Sequence, residues 1–335
     1  MGLATRDEVL PRLREAAGHR ILVVGDVVLD RYVIGCASRL SREAPVPVLV
    51  HEESFSLPGS AANPALNIRA LQSQAVQVAV IGDDDAGSEL LGLLESAGVE
   101  ASSVLRVQGR RTTVKQRILA RASLLYPQQM ARVDYLESRP IPAPVLDRLA
   151  EEVTARSTEV EAILISDYQG GTVGEAVLAA CLRARSESGL PLCVDAQDNL
   201  WRYRGVTLVK CNRDEASRAL GQSLTDEAGF RDATARIMDR IEADVVAITR
   251  GGDGMSLRDA RGGYYHLPAP NRSDVYDVVG AGDTVIAIMT LGVVAGWPPR
   301  LAATVAQLGS GIVIQRLGNA TPSYEELEEA ANRWL

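Results

Sequence analysis

This 335-residue chain lacks any run of Lys or Arg longer than two, and its net charge is −8. The electrostatic footprint that draws a protein to nucleic acid or acidic lipid is therefore missing, and a small soluble ligand is favoured. Cysteine is sparse. Cys36, Cys181, Cys193 and Cys211 are scattered, three of them within or beside apolar stretches. That spacing builds neither a disulfide frame nor a metal knot, and it fits buried thiols in a reducing cytoplasm. The first 18 residues carry charges throughout and no apolar core, so neither a signal peptide nor a membrane span is expected there. No internal repeat, low-complexity tract or long Pro/Gly linker divides the chain, and residues 1–335 are expected to form one domain. No Gly-x-Gly-x-x-Gly joins the first strand to the first helix, which removes the main sign of a nicotinamide-dependent oxidoreductase.

What is present is an alternation. Short apolar segments rich in β-branched residues, at 20–25, 76–81, 162–165, 192–194, 207–209 and 245–249, predict fully covered strands. Between them lie helical patterns. Phe230, Ala233, Ile237 and Ile241 make one apolar stripe, and Leu301, Val305, Leu308 and Ile312 make another. The expected fold is α/β, a mainly parallel sheet with helices on both faces. Two segments break the alternation, about 31–53 and 104–135, and their interleaved apolar and polar residues predict antiparallel ribbons. Ribbons projecting from such a sheet serve as a lid over a ligand, and an apolar lid face is a place for two subunits to meet.

The chemistry concentrates near the C-terminus, in Asp277-Val278-Val279-Gly280-Ala281-Gly282-Asp283-Thr284, followed by an apolar helical run. Gly280 and Gly282 let the backbone turn so that N–H groups converge at the positive end of a helix, where anionic oxygens collect. Asp283 then stands in the first turn, where a carboxylate accepts a proton from a hydroxyl attacking a terminal phosphate. A plain helix-entry turn capped by Asp283 is the competing reading. Asp30 follows the first strand, at the edge of the sheet where ligands bind. In Pro58-Gly59-Ser60-Ala61-Ala62-Asn63, the small residues including Gly59 would admit a ligand against the backbone, and Asn63 offers a donor and an acceptor.

These motifs resemble those of the ribokinase-like sugar kinases, the phosphofructokinase B family, over nearly the whole chain from Arg20 to Glu329. The resemblance implies ATP with magnesium, Asp283 as catalytic base, and an anion hole at Gly280, Ala281 and Gly282. It implies that Asp30, Gly59 and Asn63 hold the sugar. Asn212 and Glu215 match an Asn-x-x-Glu motif in which Glu215 orders magnesium through water, although an ordinary helix cap would use the same two residues. Thr249, Gly251 and Gly254 match a Thr-x-Gly-x-x-Gly nucleotide loop. A homodimer through the β lid is implied as well.

Within the family, residues 25–32, 41–48, 113–117, 128–134, Ser166-Asp167-Tyr168 and 275–284 resemble the D-glycero-β-D-manno-heptose-7-phosphate kinases. The implied product is the 1,7-bisphosphate, on the route to ADP-heptose for lipopolysaccharide core. Charge supports a phosphorylated substrate: Arg39, Lys115, Arg117 and Arg132 lie in the lid segments, and Lys115 and Arg117, two apart on a strand, share a face and would grip one phosphate. Cross-strand charge pairing on the lid exterior is the alternative for Arg39 and Arg132. The chain also departs from this subgroup. Gly170 and Gln197 stand where the subgroup has lysines, Ser60 replaces a glycine, Arg42 replaces a proline, and 123–127 reads as an insertion. Lys210, two residues before Asn212, is expected to restore a positive charge near the donor phosphates. Another sugar or nucleoside kinase, or a catalytically silent nucleotide-binding homologue, remains open at this stage.

Overall fold

The computed structural model describes residues 2–121, 127–271 and 275–335. In chain order the strands are β1 (Arg20–Gly25), β2 (Val27–Leu40), β3 (Pro47–Ser60), β4 (Gln74–Gly82), β5 (Glu100–Val107), β6 (Val114–Arg121) and β7 (Gln128–Tyr135). They continue with β8 (Ala162–Asp167), β9 (Leu192–Ala196), β10 (Leu208–Asn212), β11 (Val245–Thr249), β12 (Met255–Asp259) and β13 (Tyr264–Leu267). The α-helices are α1 (Arg6–Val9), α2 (Ala62–Ala70), α3 (Asp85–Ser96), α4 (Ala143–Arg156) and α5 (Glu175–Ser188). After them come α6 (Arg213–Leu220), α7 (Glu227–Ile241), α8 (Ala281–Val294), α9 (Pro299–Val313) and α10 (Tyr324–Trp334).

A nine-stranded sheet runs β13-β12-β11-β10-β9-β8-β1-β4-β5. All its pairings from β11 to β5 are parallel, and only β12 runs against them, with β13 antiparallel to β12 at the edge. Successive residues of a strand face opposite sides, so β1 feeds two cores: Ile21 and Val23 pack with α2, α8, α9 and α10, and Leu22 and Val24 with α4, α5 and α7. Helices therefore cover both faces. Helix α8 is deeply enclosed: every residue from Asp283 to Gly292 is buried, and a carboxylate in its first turn has little water around it.

The lid is a second, four-stranded sheet, β3-β2-β6-β7. Its first ribbon is longer than the expected 31–53, since β2 and β3 pair from Val27 with Ser60 to Leu40 with Pro47. The second expected ribbon, 104–135, divides. Residues up to Val107 belong to β5, which pairs with β4 at the edge of the large sheet because Val104 and Leu105 are buried between its helical layers, and only β6 and β7 enter the lid. Of the apparent insertion at 123–127, all but Pro127 lies outside the described residues. Among the described residues, no helix is long and apolar enough to cross a membrane.

Candidate active site

Because β1, β8, β9, β10 and β11 are parallel, their carboxyl ends share one edge of the sheet, and Asp26, Asp167, Gln197, Asn212 and Thr249 are delivered there together. The N-terminus of α8 arrives at the same edge. Gly280 stands ahead of the helix at φ +79, and a Cβ there would lie 2.6 Å from Asn63 Nδ2, so only glycine fits. Asp283 does not cap α8. Its Oδ1 accepts the Tyr168 hydroxyl at 2.6 Å and its Oδ2 accepts Asn63 Nδ2 at 3.0 Å. Burial pushes the Asp283 carboxyl up to about 6, against these two hydrogen bonds, which favour the ionised form.

Lys210 enters from β10 beside this turn. Its Nζ donates to Asp195 Oδ2 at 2.7 Å, both side chains are buried, and a Cβ on Gly282 would sit 2.9 Å from that Nζ. Burial alone would drain the ammonium's proton, but Asp195, Glu215 and Asp283 outweigh it and hold Lys210 protonated. A fixed positive charge thus touches the second glycine of the turn. Glu215 and Asn212 form a reciprocal cap on α6: Asn212 Oδ1 accepts the Glu215 N–H at 2.9 Å, and Glu215 Oε2 accepts the Asn212 N–H at 2.6 Å. Burial raises the Glu215 carboxyl to about 7, with Lys210 pulling the other way. The loop after β11 is a tight turn: Arg250 N–H donates to Gly254 O at 2.7 Å, and Gly251 and Gly254 take positive φ. A Cβ on Gly254 would fall 2.0 Å from Leu267 O.

On the lid side, Asp30 is buried, and its Oδ1 accepts Arg117 Nη1 at 2.6 Å while Oδ2 accepts Asn319 Nδ2 at 2.7 Å. Gly59 is required opposite it, since a Cβ would meet Asp30 Oδ2 at 2.2 Å. Arg117 lies over the Tyr32 ring and spends its charge on Asp30, whereas Lys115 Nζ stands 5.7 Å from the Tyr168 ring centroid. The two therefore do not converge on one point, and the expected joint grip is corrected: Arg117 buttresses Asp30, and Lys115 faces a different cavity. Arg39 does not reach the site. It is exposed near the far end of β2, nine residues beyond Asp30, roughly 30 Å at strand rise. Arg132 forms a two-bond pair with Asp134 on its own exposed strand β7, so its charge is paired on the lid exterior but within one strand rather than across two.

The cavity that Lys115 faces holds about 240 Å³ and opens between Tyr168, Ser60, Arg110, Arg111, Gly170 and Gln197. Both positions that lack the subgroup lysines line it, and three cations from other elements, Arg110, Arg111 and Lys115, surround the same space. Arg110 is spent on carbonyls, donating to Arg139 O at 2.8 Å and Gly170 O at 3.2 Å. Ser60, in place of a glycine, is held at φ +53, a left-handed conformation that costs an L-residue about 1 kcal/mol. Sequence reasoning left Tyr168, Asn319, Asp26 and Asp195 without roles. Asp26, directly after β1, and Tyr168, directly after β8, carried a positional signal, whereas Asn319 meets Asp30 across 289 positions of chain.

A family model described as pfkB family carbohydrate kinase matches residues 19–326. The chain is 38% identical over 324 residues to a protein of Citrifermentans bemidjiense named Bifunctional protein HldE, covering 96% of this chain and 65% of that one. It is also 38% identical over 330 residues to the protein of the same name from Caulobacter vibrioides, covering 97% and 66%. The chain thus spans just under two thirds of the length of these curated relatives. Among solved structures, phosphofructokinase-2 from Escherichia coli in complex with fructose-6-phosphate superposes with a TM-score of 0.74 at 20% identity, covering 95% of this chain and 99% of that one.

Proposed function

We propose, on the premise that this chain belongs to the pfkB family of carbohydrate kinases, that it moves the γ-phosphate of ATP onto a hydroxyl of a phosphorylated sugar, D-glycero-β-D-manno-heptose 7-phosphate. Membership makes it an ATP-dependent sugar kinase; the substrate is the inference. One observation carries the reading: a buried carboxylate, held by two donors, at the start of a helix whose preceding glycine turn is touched by a protonated lysine. That arrangement can accept a proton and stabilise a migrating phosphoryl group within one helical turn.

Asp283 is the base for the attacking hydroxyl, and the N–H groups of the Gly280–Asp283 turn with Lys210 form the anion hole. Asp30, Asn63 and the Gly59 backbone hold the sugar. Asn212, Glu215, Thr249, Gly251 and Gly254 hold the nucleotide. Glu215 spends Oε2 on its cap, so Oε1 is the atom that would meet the water shell of a magnesium ion, whose charge would offset that of the phosphates. The cavity of Lys115, Arg110 and Arg111 suits the phosphorylated end of the sugar, and the resemblance to heptose-7-phosphate kinases set out above supports that substrate. Exposed Leu40, Val46, Val50, Met130, Val133 and Tyr135 on the lid support pairing with a second copy, which sedimentation would report as twice the monomer mass.

The loss of two lysines favours a second reading, a kinase of a different phosphorylated sugar. Incubation with ATP and a panel including heptose 7-phosphate, fructose 6-phosphate and ribose, read by phosphorus NMR, separates the two. The expected result is a new anomeric phosphate on the heptose with at least tenfold preference over the others. Equal or better turnover of an unphosphorylated sugar would contradict the assignment.

A further inference from the structure

Each oxygen of the Asp283 carboxylate has one donor. Asn63 serves Oδ2 from α2, whereas the Tyr168 hydroxyl serves Oδ1 at 2.6 Å from the loop after β8, and the proposed reaction gives that hydroxyl no part. The loop is held from below by a second buried carboxylate. Asp26 Oδ2 accepts the N–H groups of Tyr168 and Gly170 at 3.1 and 2.8 Å, and its Oδ1 accepts Thr172 N–H at 2.9 Å. Asp167 accepts the Gln169 N–H at 2.9 Å, and Gln169 itself is at φ +65. A left-handed non-glycine residue persists only where its surroundings over-determine it. Here four backbone hydrogen bonds fix the tyrosine ring, and the ring fixes the carboxylate.

We propose that Tyr168 is a positioning residue for phosphoryl transfer, which aims the Asp283 carboxylate and keeps it ionised at neutral pH by donating its hydroxyl hydrogen to Oδ1. This rests on Asp283 being the base. Burial disfavours the charged form and brings the group to about 6, within reach of neutrality, so the carboxylate depends on its donors to remain a base at pH 7. The ionisable groups around it come from three other elements: Asp195 on β9 opposes ionisation, Lys210 on β10 favours it, and Glu215 on α6 bears on Tyr168. Lys210 is already engaged with Asp195, so the tyrosine and Asn63 are the direct partners left. Tyr168 is itself held far above its ordinary range by burial and by Asp283, so it donates and does not ionise. The same ring lies beneath Lys115 and walls the cavity lined by Arg110, Arg111 and Lys115 together with Asp26 and Glu137, which ties the aim of the base to the end of the site proposed for the substrate phosphate.

The test is the kcat–pH profile of Tyr168→Phe, which keeps the ring and removes the donor. Loss of one hydrogen bond to the ionised carboxylate should move the acid limb up by about one pH unit, so that kcat is roughly twofold low at pH 7, nearly tenfold low at about pH 5 and recovered by about pH 8.5, with KM for ATP within about twofold. A 3-fluorotyrosine at 168, a stronger donor of the same shape, should move the limb down, which keeps the idea testable if the phenylalanine variant is poorly folded. A limb that stays in place in both variants overturns the proposal. Asp283→Asn, run alongside, separates this from failure of the underlying reading: if it retains turnover, Asp283 is not the base, whatever Tyr168 does.

Discussion

At the residue scale the account turns on one carboxylate whose burial works against folding. Asp283 sits near 6 in the folded chain, above the ordinary value of an unfolded Asp, so the native state holds its proton more tightly. The penalty for ionising it is therefore fully present above about pH 6 and fades as pH falls toward 4. Asp283→Asn, which removes the charge and keeps the shape, should raise the unfolding free energy at pH 8 by about 1–3 kcal/mol and change it little at pH 4. Urea melts at the two pH values measure this; equal effects at both would show that burial of the charge is not what sets the cost. Asp283 was legible in the sequence because it follows two glycines and precedes an apolar run. Its partner Tyr168 was quoted only for its resemblance, because a hydrogen bond spanning 115 positions leaves no local trace. Arg39 and Arg117 misled for the same reason, since a basic residue on a lid strand reveals its charge but neither its distance nor its partner.

The glycine turn is the element on which the site depends. Gly280 combines φ +79 with contact against Asn63 and Asn319, so Gly280→Ala must shift either the start of α8 or the two asparagines. It should destabilise by about 2 kcal/mol or more and lower kcat more than it raises KM for ATP, because the displaced Asn63 also serves the base. Calorimetric melting together with steady-state kinetics checks both parts, and an unchanged melting temperature would contradict the steric argument. Elements were readable wherever a single covered strand or a striped helix carried its own period, as in 20–25, 245–249 and 299–313. Strand β5 was assigned in part to the lid because apolar and polar residues interleave through 104–135, whereas its pairing with β4 and the consecutive burial of Ser103, Val104 and Leu105 decide otherwise. The β12–β13 hairpin gave no warning, being short and without the flanking pattern of a parallel unit.

For the whole molecule, the order of strands brings together residues that the sequence presents as separate motifs. Five parallel strands end at one edge, the lid closes over it from β2 and β6, and α8 delivers Asp283 into the interior of that arrangement. The α/β architecture was legible because parallel strands are apolar throughout and their helices striped. The details of the site were not, because Asp26 with Tyr168, Asp30 with Asn319 and Lys210 with Asp195 are all contacts between elements. The central claim is that the N-terminal turn of α8 is where phosphate passes to the sugar, with Asp283 taking the proton. Turnover of Asp283→Asn, measured beside ATP binding by titration calorimetry on the same preparation, tests it most directly. The account predicts a kcat lower by about 10² to 10⁴-fold with ATP affinity within about twofold of the parent; turnover within a few fold of the parent would contradict it.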